Sequence, residues 1–218
     1  MAEKPRIGYW DIRGLAAPLR LIMAYSGVDF SDDRYAVGPP PEYNRDVWFS
    51  VKFTLGLDFP NLPYYIDDKV KLTETNAIFR YLGRKYNLYG DDDVAKANCD
   101  LILEMAMGLR NGFVGLCYGK NFDENKPAYL EKAKKQLDAF EAYLGDKKFF
   151  AGDKVTVADF HMFEMLDQHN TFEPSLLDNS PKLKQFWQRF RDLPAIKAYL
   201  SSDKYKERPI NNPSANWK

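Results

Sequence analysis

The sequence predicts two modules: an α/β module with a mixed four-stranded sheet over residues 1–86, and an all-helical module over 94–218, joined by a linker at 87–93. Three observations predict this. The first third alternates short strand-like runs with helix-like runs. From Asp91 onward the strand signals stop and apolar residues recur at three- and four-residue steps. Between the two lies Asn87-Leu-Tyr-Gly-Asp-Asp-Asp93, short, polar and rich in turn formers.

Taken in order, Arg6-Ile-Gly-Tyr-Trp10 reads as the first strand. Arg13-Gly14 breaks it into a helix with Leu15, Leu19, Ile22 and Met23 on one side, where Pro18 is tolerable because it falls in the first turn. Residues 30–37 read as a second strand, and a strand-helix-strand order makes the two strands parallel. A proline loop, Gly38-Pro39-Pro40-Pro41, and an irregular helix over 43–52 follow. Residues 63–67 and 69–73, split by Asp67-Asp68, read as an antiparallel hairpin, so the sheet is mixed; a helix over 76–86 closes the module. In the second module Leu130, Ala133, Leu137, Phe140 and Leu144 mark one helix face, and Leu183, Phe186, Phe190 and Leu193 another. Thr156-Val-Ala-Asp159 is a capping box: a hydroxyl and a carboxylate three residues apart satisfy the free amides of a helix start, with Val155 and Phe160 stapling across it. An α/β module of this size is small for a domain, so it should pack against the helices.

Composition narrows the partners. In 218 residues, 45% hydrophobic and 15% aromatic content supports a sizeable core. Lys plus Arg and Asp plus Glu number 31 each, which gives no bulk electrostatic reason to expect nucleic acid or an anionic membrane. The polar start carries no apolar secretory stretch, no run is long enough to cross a bilayer, and Cys99 and Cys117 lie far from any C-x-x-C spacing. A reducing, cytoplasmic setting is expected.

The familiar catalytic patterns are absent. His161 and His169 are too few and too isolated for a zinc site and read as structural, so no metal is expected. Neither phosphate-binding glycine motif is present, nor a Gly-x-Ser-x-Gly elbow. What stands out is Asp58-Phe-Pro-Asn-Leu-Pro63 before a strand and Glu74-Thr-Asn-Ala-Ile78 at a helix start. Leu62-Pro63 is a candidate cis peptide, which would turn backbone groups outward toward an extended ligand. The helix start at Thr75 offers free amides to a carboxylate. Alone, each reads equally as an ordinary turn and an ordinary cap.

Together with Gly8-Tyr-Trp-Asp-Ile-Arg-Gly14, Leu55-Gly-Leu-Asp-Phe-Pro-Asn-Leu-Pro63, Asn76-Ala-Ile-x-Arg-Tyr-Leu82 and Phe150-Ala-Gly-Asp-Lys-Val-Thr156, they give the chain a resemblance to the mu class of cytosolic glutathione transferases along essentially its whole length. The long proline loop at 37–42 is typical of that class. The resemblance implies a thioredoxin-like first domain, an all-helical second domain and a two-fold homodimer. It implies glutathione as co-substrate, without a further cofactor, and apolar electrophiles such as aryl halides, epoxides and enones. It places the glycyl carboxylate near Arg45, Trp48 and Lys52, the cysteinyl backbone on Leu62 with Asn61 alongside, and the glutamyl end at Glu74 and Thr75. Trp10 and Leu15 would line the cavity near the thiol, together with the inner face of the helix from Met105 to Tyr118. Phe59 would be an aromatic key entering the partner subunit, and Tyr118 would donate to an electrophile's developing charge.

Tyr9 is the residue on which the resemblance rests catalysis. A thiol with a pKa of about 8.5 is only a few per cent ionised at neutral pH. One charge-assisted hydrogen bond contributes about 1.5 to 3 kcal/mol, one to two pKa units, so a single tyrosine hydroxyl is sufficient to ionise it. The class carries an acidic residue where this chain has Gly108; Glu104, one helical turn earlier, and Glu74, in place of a neutral amide, are the candidate replacements. Gly108 predicts close packing or a local kink. Two other readings remain: a non-catalytic carrier of apolar ligands, and a thiol-disulfide reductase, disfavoured because no cysteine lies near the first strand.

Overall fold

The computed structural model describes residues 4–218; of the polar start, residues 1–3 lie outside the described residues. The first module runs β1 (Arg6–Trp10), α1 (Ala17–Tyr25), β2 (Ser31–Tyr35), α2 (Asp46–Phe49), β3 (Tyr64–Ile66), β4 (Lys71–Leu72) and α3 (Thr75–Lys85). Strand order is β2-β1-β3-β4, with β1 and β2 parallel and the other pairs antiparallel, the mixed sheet the sequence predicts. β2 is shorter than the predicted 30–37 because β1 offers only five residues, and pairing ends at Trp10 opposite Tyr35. The irregular helix shrinks to the four residues of α2, followed by turns.

Side chains alternate across the sheet. Ile7, Tyr9 and Tyr65 join the main core with Leu19, Ile22 and Met23 of α1 and Ile78, Phe79 and Leu82 of α3. Tyr64 and Ile66 point the other way into a small second core with Trp48 and Leu57. Trp10 and Leu62 pack against both. Gly8 lies at the crossing point. A Cβ there would fall 2.1 Å from the Tyr64 ring, so only glycine lets that ring lie flat across β1.

The helices are α4 (Asp93–Tyr118), α5 (Phe122–Leu144), α6 (Val157–Phe172), a 3-10 turn (Pro174–Leu177), α7 (Pro181–Arg191) and α8 (Pro194–Leu200). α6 is buried at every residue from Val157 to His169 and is the axis of the molecule, packed on α1, α3 and α4. Its capping box forms as predicted: Asp159, fully buried, accepts from the Thr156 N–H (2.7 Å), the Thr156 hydroxyl (2.9 Å) and the Phe150 N–H (2.8 Å). The last helix ends at Leu200; residues 204–210 then reach the first module at Asp11, Arg13, Gly14 and Arg34, and residues 212–217 return to the end of α4.

Candidate active site

β1 delivers Tyr9 to the core face with 5% exposure, and the chain then folds back on it. Gly14, at φ +43°, lies so close that a Cβ would sit 2.5 Å from Tyr9 Cε1 and 2.8 Å from its hydroxyl. The turn is fixed from the far end of the sequence: Arg13 N–H donates to Pro209 O (2.9 Å) and Gly14 N–H to Ile210 O (3.2 Å). The Arg13 side chain, 3% exposed, points inward, with Nε and Nη2 on Glu164 (3.0 and 2.9 Å) and Nη2 on Asp167 (2.6 Å). Burial works against the Arg13 charge, but Glu164 and Asp167 outweigh it and hold its pKa above the ordinary value.

The Tyr9 hydroxyl makes no hydrogen bond among the described residues. Trp10 and Leu15 are both half-buried and pack against the core that holds Tyr9. Tyr118 ends α4, and its hydroxyl accepts from Asn212 N–H at 2.7 Å, which leaves its own proton to donate. Burial, with Tyr9 as a near neighbour, raises the Tyr118 pKa and keeps it protonated. The same tail caps α4: Asn216 N–H and Nδ2 bond Cys117 O, Nδ2 also bonds Gly119 O, and Trp217 packs on Phe113 and Phe172.

The other predicted residues sit on or beside α2, at the Leu62-Pro63 turn and at the start of α3. Trp48 is 3% exposed, stacked on Tyr64 with centroids 6.1 Å apart. Arg45 and Lys52 flank it, their charges over the Phe49 ring at 5.9 and 5.8 Å, and neither is ion-paired among the described residues. Leu62-Pro63 is cis, and Leu62 N–H donates to Asn61 Oδ1 at 2.9 Å. Glu74, exposed at φ +65°, caps α3 with its carbonyl alone, so its carboxylate and the first-turn amides from Thr75 onward stay unengaged among the described residues. The Thr73 hydroxyl ties this segment to Phe59 O (2.8 Å), and the Phe59 ring stands 80% exposed.

Comparison with known proteins decides the family. A model of the glutathione S-transferase N-terminal domain matches residues 5–84, and one of the C-terminal domain matches 107–203. Glutathione S-transferase Mu 3 of Homo sapiens is 44% identical over 97% of this chain and 94% of its own, and Mu 5 of Mus musculus 45% over the same shares. The crystal structure of the glutathione S-transferase Blo t 8 superposes with a TM-score of 0.89 at 33% identity, covering 96% of this chain and 98% of that one. A pi-class glutathione S-transferase of Onchocerca volvulus gives 0.86 at 30%, covering 98% and 100%. The chain belongs to the mu class of glutathione S-transferases.

Within this glutathione transferase three expectations change. Met105 does not share a helix face with Tyr118: thirteen residues carry it about 220° around α4, into a groove against α5 with Leu101 and Phe140. Gly108 is not closely packed, since a Cβ there would meet nothing within 4 Å. Glu104 is held within the chain by Arg80 Nη2 at 2.7 Å, beside Asp100 on Arg80 Nε at 2.6 Å. Sequence reasoning missed the Arg13 clamp and the tail contacts, because their partners lie 94 to 196 residues apart with no local signal. Burial pushes the Cys99 thiol up to about 11 and the Cys117 thiol up to about 12, which argues against reductase chemistry at either.

Proposed function

We propose that this glutathione transferase ionises the glutathione thiol through one hydrogen bond from Tyr9 and directs the thiolate onto an apolar electrophile held between Trp10, Leu15 and Tyr118. The observation that carries this is the Tyr9 hydroxyl: its ring is immobilised by Gly14 and the core, and the donor is uncommitted among the described residues. A fixed neutral donor favours the sulfur anion over the thiol. The thiolate then attacks the electrophilic carbon; a carbon–sulfur bond forms, and a halide leaves or an epoxide oxygen opens. In the second case the free proton of Tyr118, whose oxygen is already occupied by Asn212, suits the developing oxyanion.

In this reading the first module holds glutathione. Arg45, Lys52 and the Trp48 indole N–H take the glycyl carboxylate, Asn61 and Leu62 the cysteinyl backbone, and the α3 amides at Thr75 the glutamyl carboxylate, with the Glu74 carboxylate on the ammonium. Because Glu104 is engaged by Arg80, Glu74 is the better replacement for the acid missing at Gly108. The working unit is a homodimer. Phe59 is an exposed key, and the α4–α5 groove of Leu101, Ile102, Met105, Phe140 and Tyr143, a cavity of about 190 Å³ with almost wholly apolar walls, is a matching lock. No helix among the described residues is long and apolar enough to cross a membrane; the setting in this reading is cytoplasmic and the role detoxification.

Tyr9→Phe tests the mechanism. It should keep retention on immobilised glutathione but lower turnover of an aryl halide at neutral pH about ten- to a hundredfold. The ultraviolet thiolate band of the bound ligand should appear one to two pH units higher, that is, about the worth of one charged hydrogen bond. Unchanged turnover with an unchanged thiolate titration would remove Tyr9 from the mechanism.

A further inference from the structure

We propose that Asp33 is a positioning residue for the glycyl end of glutathione, acting on Trp48 through Tyr64. The inference rests on the assignment of Trp48 to the glycyl carboxylate.

Trp48 belongs to a helix of four residues, too short to hold an indole by its own backbone. Its orientation comes from two rings of the sheet: Tyr64, stacked at 6.1 Å and 28°, and Tyr35, at 5.2 Å and 58°. Those rings are themselves fixed by one acceptor. Tyr64 is fully buried, crosses β1 over Gly8 and donates its hydroxyl proton to Asp33 Oδ2 on the far strand at 2.6 Å. Its oxygen is then free to accept, and the Tyr35 hydroxyl, 2.9 Å away, donates to it. The relay runs in one direction, Tyr35 to Tyr64 to Asp33, and it needs an acceptor oxygen at its end. Arg6 also donates to Asp33 Oδ2, with Nε at 3.0 Å and Nη2 at 2.6 Å, and so holds the carboxylate in place. The Arg6 guanidinium, although burial opposes its charge, has its pKa raised by Asp33. Without an acceptor at 33 the relay loses its sink. Tyr64 must turn its proton toward Tyr35, whose own proton then has no acceptor within this group, and the two rings that fix Trp48 lose their common anchor.

Asp33 makes no hydrogen bond to Arg45, Trp48 or Lys52, so its effect should be confined to the ligand group that Trp48 meets. The test is calorimetric titration with glutathione and with γ-glutamylcysteine, which lacks the glycyl carboxylate, beside kcat at saturating glutathione. Asp33→Leu should weaken glutathione about fivefold while changing γ-glutamylcysteine and kcat less than twofold, a loss on the scale of one hydrogen bond. Asp33→Asn, which keeps an acceptor, should restore glutathione binding to within about twofold. Tyr64→Phe removes the same link and should reproduce the selective loss if the leucine variant does not fold. Trp48→Phe should weaken glutathione alone by about tenfold, and adding Asp33→Leu to it should cost nothing more. A leucine variant that weakens both ligands alike, or neither while Trp48→Phe remains selective, overturns the role of Asp33. If Trp48→Phe is itself unselective, the Trp48 assignment fails, and the role of Asp33 with it.

Discussion

Replacing Arg13 by methionine probes whether the first module depends on a charge buried in the second. The guanidinium donates three short bonds to Glu164 and Asp167, which are almost as buried as it is. Methionine fills much of the volume and removes the charge. Glu164 then keeps one donor, Gln168 Nε2 at 2.7 Å, while Asp167 keeps the Trp187 indole at 3.1 Å and Arg191 at 3.4 Å. Glu164 is therefore the group left exposed to the full cost of burial. Breaking a buried pair from one side costs about 3 to 5 kcal/mol, which in a chain of this length is about 6 to 20 °C in Tm. Urea unfolding at neutral pH measures it. The decisive comparison adds Glu164→Gln. In the native background that change removes a charge Arg13 needs and should destabilise; beside Arg13→Met it removes an unpaired carboxylate and should restore about 1 to 2 kcal/mol. An Arg13→Met cost under about 1 kcal/mol, or a Glu164→Gln effect of the same sign in both backgrounds, would refute the reasoning.

Phe59→Ser should abolish the key, and sedimentation should then give the 25.3 kDa of a single chain rather than twice that mass. Asp159→Ala strands two buried amides and a hydroxyl, so the loss should be about 3 to 6 kcal/mol by denaturation, while Asp159→Asn should cost less than half of it. His161 is wholly buried against Phe79, and both ring nitrogens lack a partner among the described residues. Burial, with Arg110 adding a little, lowers its pKa to about 3, and burial lowers that of His169 to about 4. Both stay neutral in the fold while the unfolded chain takes up protons near pH 6.5, so stability should fall as pH drops from 6.5 toward 4. His161→Leu should raise stability at neutral pH by about 1 to 2 kcal/mol and flatten the acid limb of a Tm-against-pH profile.

Much of this fold was legible because its signals are local. The short strand-like run at Arg6–Trp10, the three-and-four spacing from Ala133 to Leu144 and the Thr156–Asp159 box each lie within one element. Gly14 and Gly8 were legible as motif letters but not as causes, since the rings that require them belong to Tyr9 and Tyr64. The residues proposed to hold glutathione came from family resemblance; nothing local separates Tyr9 from thirteen other tyrosines. Long-range pairing was invisible. Arg13 reads as one basic residue in a turn, and Asn212 and Asn216 read as a polar tail, because hydrogen-bond partners more than ninety residues away leave no periodicity behind.

That tail gives the site an order of assembly. Tyr9 is synthesised about two hundred residues ahead of the segment that bonds the turn closing on it, at residues 209 and 210, and Tyr118 is oriented by residue 212. A nascent chain therefore carries every residue from Gly8 to Gly14 long before it can hold them in register. Reactive electrophiles meet a finished cavity only once synthesis has passed the point at which the enzyme's own closing segment is free to dock.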